Sequence, residues 1–460
     1  MSTVVRFAPS PTGMVHIGTA RTGLFNMYFA KHHGGKCLLR IEDTDRDRST
    51  QEAVDGLLTG LAWLGFEYDG EPIFQFPRAP RHAEVARELV ARGGAYYCYM
   101  TPEEIQAERQ AAEAEGKVWQ YDRRWRDSNA TPPEGVKPVI RIKAPMGDGA
   151  LTLKDEVQGE VTVKYEQLDD MILLRADETP TYMLAVVVDD HDMGVTHIIR
   201  GDDHLNNYFR QSVIYTNMGW DLPVHAHIPL IHGTDGKKLS KRKGSAAIHE
   251  YEEMGYLPEA MRNYLLRLGW SHGDDELISD AQAIEWFDVD HIGKSPSQLD
   301  FAKLNFINHH YIKLKENSEL YSLAKPFIEK EHGTVTAEHE QRIMKAINGL
   351  KERSQNLVEF AQNSRFYIKV ELDETAKEKL NQEHAPIVLK TALETASNLS
   401  NWEGKAFIDD VLAKTGFKMG QVGPVLRAAL TGTMQSPDMT EVITALGPDE
   451  VKTRLQAVMA

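Results

Sequence analysis

The stretch from Val4 to Thr19 constrains the fold more tightly than any other part of the chain. Val4, Val5, Phe7 and Ala8 form a short apolar run of the kind found in a buried parallel strand. Pro9, Pro11 and Gly13 then turn the chain, and from Thr19 a periodic segment puts Ala20, Leu24, Met27 and Tyr28 on one face of a helix. A strand, a tight loop and a helix start bring unpaired N–H groups and a positive dipole end together, which suits a phosphate. Neither G-x-G-x-x-G nor G-x-x-x-x-G-K-[ST] is present in this stretch. His16-Ile-Gly18 stands in their place, an imidazole able to donate to a phosphate oxygen beside a glycine that admits a nucleotide ring.

The strand-and-helix rhythm continues. Lys36–Ile41 reads as a second buried strand ending in Glu42-Asp-Thr-Asp45, carboxylates where open α/β sheets place ligand groups. Val54, Leu57, Leu58, Leu61 and Leu64 mark an amphipathic helix, Phe74–Phe76 a third strand, and Ala83–Val90 another helix. Together they predict an α/β, Rossmann-like, doubly wound parallel sheet. From about Ala95 to Thr179 the pattern gives way to a charged helix at Thr101–Gly116 and alternating strands at Val139–Lys143 and Glu160–Tyr165, an inserted α+β domain. Arg123-Arg-Trp-Arg126 within it suits either an unpaired nucleotide end or a solvated basic loop. Sheet character returns at Thr181–Val188, His197–Arg200 and His225–Ile231, with a helix around Tyr208–Val213. His225 and His227 would share one side of their strand, which without a third ligand favours a structural role over a metal pair. Beyond Tyr251 the chain reads as successive amphipathic helices, an all-α C-terminal half.

The first stretch, in the form R-F-A-P-S-P-T-G-x-x-H-I-G-x-A-R, resembles the first signature of class I aminoacyl-tRNA synthetases, and in particular that of the glutamyl-tRNA synthetase family, with Thr19 where many members have histidine. Far downstream, Lys237–Lys243 carries five cations among seven residues. Its Lys238-Leu-Ser-Lys-Arg242 resembles the second class I signature. Lys294–Leu304 resembles the family's stem-contact region and Phe417–Gly432 its C-terminal domain. The related glutaminyl enzymes carry a β-barrel where this chain reads as helices.

The resemblance implies ATP-dependent ligation of L-glutamate to tRNA(Glu) through a glutamyl-adenylate. An enzyme that also charges tRNA(Gln), or a catalytically silent RNA-binding homologue, are the alternatives. It implies catalytic roles for His16, Lys238 and Lys241. An ATP site would comprise Ser10, His16, Gly18, Thr19, Asp203, Lys238, Ser240 and Lys241. A glutamate site would comprise Arg6, Ala8, Ser10, Glu42, Tyr182 and Arg200, with Glu42 on the ammonium and Arg200 and Arg6 on the side-chain carboxylate. A bare Arg6–Glu42 ion pair is the structural alternative. The expected organisation is a catalytic domain in halves at residues 1–94 and 180–244, an acceptor-end insertion at 95–179, a stem-contact domain at 245–315 and an anticodon-binding domain at 316–460. Mg²⁺ is expected with ATP, held through phosphate oxygens and water.

Composition sets the remaining bounds. Cys37 and Cys98 are the only cysteines, too few for a disulfide framework or a thiolate-rich metal site, and no zinc is expected. A net charge of −16 argues against a generic nucleic-acid binder, so an RNA partner requires locally clustered cations. No apolar run approaches the ~18 residues of a membrane span. A monomeric cytoplasmic protein is expected.

Overall fold

Two parallel ladders position the site. The structure, a computed structural model, describes residues 2–11, 13–45, 48–237 and 247–460. These form two compact units, Met1–Glu250 with Arg262–Asp300, and Tyr251–Met261 with Phe301–Ala460. In the first unit, β1 (Val4–Phe7) leads through α1 (Ile17–His32) to β2 (Lys36–Ile41), and α2 (Gln51–Trp63) leads on to β3 (Ile73–Phe74) and α3 (Ala79–Ala91). β1 pairs in parallel with β2, Val4 opposite Lys36, and β2 with β3, Arg40 opposite Ile73. The expected third strand stops at Phe74, because Phe76-Pro-Arg78 turns at once into a 3-10 helix.

The insertion begins with β4 (Ala95–Cys98) and α4 (Pro102–Ala114), whose Thr101 and Glu104 form a reciprocal capping box. β5 (Val139–Ile142), β6 (Ala150–Asp155), β7 (Gly159–Lys164) and β8 (Ile172–Leu174) follow. β4, β5 and β8 make an antiparallel sheet, and β6 and β7 a hairpin. Arg123–Arg126 stitches this domain together: Arg123 and Arg126 reach the buried Asp170 at 3.3 and 3.0 Å, Arg124 pairs with Asp122 and Glu108, and Trp125 packs beside Tyr96 and Tyr121. The cations of this run therefore have carboxylate partners within the insertion.

After the insertion comes α5 (Tyr182–Asp192), a helix where a strand was expected at Thr181–Val188. Leu184 to Asp190 are all buried. A helix enclosed on every side is apolar all round and loses the 3.6-residue signature that separates it from a buried strand. β9 (His197–Gly201), α6 (Leu205–Met218) and β10 (Val224–Ile228) complete the layer, with β9 and β10 parallel and His197 opposite Val224. Pro229, lacking an N–H, ends β10, so the run expected through Ile231 divides, and Ile231–His232 pairs instead with Ser297–Gln298. Val4 at the start of β1 exchanges hydrogen bonds with Thr196, next to β9: its N–H donates to Thr196 Oγ1 at 2.9 Å and its carbonyl accepts from Thr196 N–H at 2.9 Å. The strand order thus runs β3-β2-β1 one way and β9-β10 the other, and ligands of open α/β sheets bind at the C-terminal strand ends where the order reverses.

The second unit is helical from Phe301–Leu314 to Met439–Met459. Its last helix is interrupted at Gly447, φ 77°, where glycine in the left-handed region stops one helix and Pro448 starts the next. No described helix is long and apolar enough to cross a membrane.

Candidate active site

A cavity of about 470 Å³ opens where β1 and β9 end. Arg6 of β1 and Ala8 and Ser10 of the following loop form one wall, and Arg200 of β9 with Asp203 forms the facing wall. His16, Gly18 and Thr19 at the start of α1 border the same space, as do Glu42 after β2 and Tyr182 at the head of α5. Every expected site residue within the described chain faces this one cavity. Lys238, Ser240 and Lys241 lie outside the described residues. Ala247, where description resumes, bridges to His16, and the Ile248 N–H donates to the Val15 carbonyl at 2.8 Å.

His16 is the N-cap of α1: its Nδ1 accepts the Gly18 N–H at 3.1 Å. In the neutral ring this places the hydrogen on Nε2, the form that donates to an anion. The cap therefore selects the tautomer.

The other end of the cavity is built from buried charge. Glu42 accepts from Arg40 Nη2 at 3.1 Å, and Arg6 Nε donates to Asp190 at 3.0 Å, so Arg6 and Glu42 have separate principal partners and the simple pair between them does not form. Burial raises the Glu42 carboxyl above its ordinary range despite the Arg40 and Arg6 charges beside it. Burial likewise pushes the Tyr182 hydroxyl up to about 12, keeping it a neutral donor. Arg200 is only 6% exposed and has no carboxylate partner. Its Nε donates to His227 Nε2 at 3.1 Å, its Nη2 reaches the His204 carbonyl at 3.5 Å, and its Nη1 has no hydrogen-bond partner. Burial lowers its pKa, and the nearby Asp190 and Glu42 charges do not offset this.

Arg40, Asp190 and Asp155 were missed from sequence. The signal for the first two was an arginine inside an otherwise apolar strand, which demands a buried carboxylate, and an Asp189-Asp190 pair closing an apolar run, which supplies one. Cys98 is buried, and its thiol donates to Tyr121 Oη at 3.4 Å. Among the described residues the one cluster of three metal-ligand side chains is His32, His33 and Asp288, none of which lines the cavity.

A parallel sheet with a nucleotide-type cavity at its switch point, entered by a helix capped by His16, defines a class I synthetase catalytic core. Residues 2–306 match the family "tRNA synthetases class I (E and Q), catalytic domain", residues 319–459 match "Anticodon binding domain", and the chain belongs to this synthetase family. It is 54% identical over 463 residues to glutamate–tRNA ligase 2 of Rhodospirillum centenum, covering 99% of this chain and 98% of that protein. It is 51% identical to glutamate–tRNA ligase 1 of Bartonella bacilliformis, over 99% of this chain and 98% of that one. The crystal structure of a glutamate tRNA ligase from Elizabethkingia meningosepticum in complex with its amino acid superposes with a TM-score of 0.90 at 31% identity, covering 100% of this chain and 99% of that one. Glutamate-tRNA synthetase from Elizabethkingia anophelis gives 0.87 at 31% identity, covering both chains fully.

Proposed function

We propose that this enzyme ligates L-glutamate to the 3′ end of tRNA(Glu) in two steps. The glutamate α-carboxylate attacks the α-phosphate of ATP, forming the mixed anhydride glutamyl-adenylate as pyrophosphate leaves. The 2′-hydroxyl of the terminal ribose then attacks the carbonyl, its proton is lost, and AMP departs. Neither step needs a protein nucleophile, so positioning and electrostatics supply the catalysis. His16 Nε2–H stabilises phosphate oxygens, with Lys238, Ser240 and Lys241 acting on the triphosphate from the second signature. Gly18 and Thr19 shape the nucleotide side with Ser10 and Asp203.

The observation that carries the substrate assignment is Arg200, a buried guanidinium whose Nη1 lacks a partner beside the cavity. A side-chain carboxylate meets that need, Glu42 meets the ammonium, and Tyr182 and Arg6 complete the pocket. A neutral amide in the same place leaves donors mismatched, which disfavours glutamine. Mg²⁺ bound with ATP supplies charge neutralisation of the phosphates. Asp203 is a cavity carboxylate suited to such an ion, and the remaining ligands would be phosphate oxygens and water. The lone buried Cys98 thiol supports a protein without structural zinc. In the same reading the insertion receives the tRNA acceptor end, residues 245–315 meet the stem, the C-terminal helices meet the anticodon, and the enzyme acts as a cytoplasmic monomer.

Pyrophosphate exchange and aminoacylation test this, run with tRNA(Glu), with tRNA(Gln) and without tRNA. ATP-dependent charging of tRNA(Glu) with glutamate is expected. A purified, folded protein that charges neither tRNA overturns the reading.

A further inference from the structure

His227 was expected to be structural, yet its ring joins two groups that matter. Its Nδ1 lies 2.6 Å from Asp155 Oδ2, and its Nε2 accepts from Arg200 Nε at 3.1 Å. An arginine nitrogen can only donate, so the Nε2 lone pair is committed and the ring hydrogen must sit on Nδ1, facing the carboxylate. Asp155, His227 and the Arg200 guanidinium are all buried. Burial keeps the imidazole neutral even beside the carboxylate. Asp155 lies at the end of β6, inside the insertion, whereas His227 and Arg200 lie on the paired strands β10 and β9.

We infer that Asp155 and His227 are positioning residues that hold Arg200 at the amino-acid pocket, so that glutamate affinity depends on a carboxylate donated by the inserted domain. Asp155 fixes the tautomer, the tautomer presents a lone pair, and the lone pair aims Arg200. The neighbouring backbone makes this order testable. Asp155 Oδ1 accepts the N–H groups of Val157 and Gln158 at 3.0 and 2.8 Å, and the His227 N–H lies 3.2 Å from both carboxylate oxygens. In Asp155→Asn the amide oxygen stays with these backbone donors, so the amide NH₂ faces Nδ1. The ring must then accept there and carry its hydrogen on Nε2, donor against donor at Arg200. The substitution is isosteric and keeps the backbone bonds to Oδ1, yet it reverses the tautomer.

The inference rests on the glutamate reading of the cavity, and the experiment separates the two. Glutamate and ATP kinetics are measured by tRNA(Glu) charging for wild type, Asp155→Asn, His227→Leu and His227→Gln, with thermal unfolding as a check on folding. Asp155→Asn and His227→Leu are expected to raise KM for glutamate about tenfold while KM for ATP and the melting temperature change little. His227→Gln is expected to stay within about threefold of wild type, because an amide carries an acceptor and a donor on one carbon, as the ring does. Unchanged glutamate KM in Asp155→Asn and His227→Leu overturns the relay and leaves the functional reading intact. A parallel rise in both KM values, with His227→Gln equally impaired, also overturns it. Wild-type protein that does not use glutamate overturns both.

Discussion

Arg6 Nε donates to Asp190 Oδ1 at 3.0 Å across 184 residues of sequence, with both side chains buried. The same oxygen accepts Arg40 Nη1 at 2.6 Å, so one carboxylate from α5 serves guanidinia on two paired strands. Asp190→Asn therefore takes from Arg6 its carboxylate and leaves Arg40 with Glu42 alone, and is expected to cost about 3–5 kcal/mol in urea unfolding. Burial pushes the Asp190 carboxyl up, but Arg40 and Arg6 outweigh it and hold it below its ordinary value. An acid whose folded pKa lies below its unfolded one stabilises the fold above about pH 3.9, and that stability is lost as pH falls through the folded value. Wild-type stability should show this acid loss, and Asp190→Asn should lack it.

Arg200→Ala removes the cation without a protein anion to strand. Its kcat/KM for glutamate should fall by more than about thirtyfold, from a loss of roughly 2–5 kcal/mol, with folding preserved. Activity near wild type at saturating glutamate would remove Arg200 from the pocket.

His16→Asn separates two roles of one side chain. Asparagine also caps a helix, so the melting temperature should hold, while the donor that Nε2 supplies is gone. Turnover should drop about 10²- to 10³-fold. A variant with full turnover would leave His16 as a cap alone.

On the proposed reading, in which Glu42 meets the substrate ammonium, Glu42 sets the pH dependence of substrate use. Burial raises its pKa, so on acidification it takes up a proton above the usual carboxylate range near ~4.3 and ceases to attract the substrate ammonium. The kcat/KM for glutamate should fall with pH in a step above that range. Glu42→Gln should be low throughout and lack the step; persistence of the same step in that variant assigns it elsewhere.

Lys241→Ala should slow turnover more than it raises KM for ATP, because a cation acting on departing pyrophosphate is felt mainly in the transition state. An unchanged turnover number would take this lysine out of the mechanism.

Local grammar explains what could be read in advance. Pro9, Pro11 and Gly13 follow β1, and helical spacing announces α1, so that unit was legible from a short window. The site residues around it followed from family resemblance, residue by residue. α5 was misread because complete enclosure erases periodicity. Arg40 and Asp190 meet across 150 residues, and Asp155 and His227 across 72, distances over which a single sequence carries no pairing signal. The strand arginines were visible, but their partners could be assigned only once the layers were assembled.

The unmatched nitrogen on Arg200 also has a consequence for how such a pocket can choose. Arg6 and Arg40 share Asp190, and Arg40 also meets Glu42, so of these three buried guanidinia Arg200 is the one without a carboxylate of its own. On the proposed reading, glutamate brings the missing anion and glutamine, with its neutral amide, does not. Selection between two side chains of nearly equal size then turns on charge and not on volume.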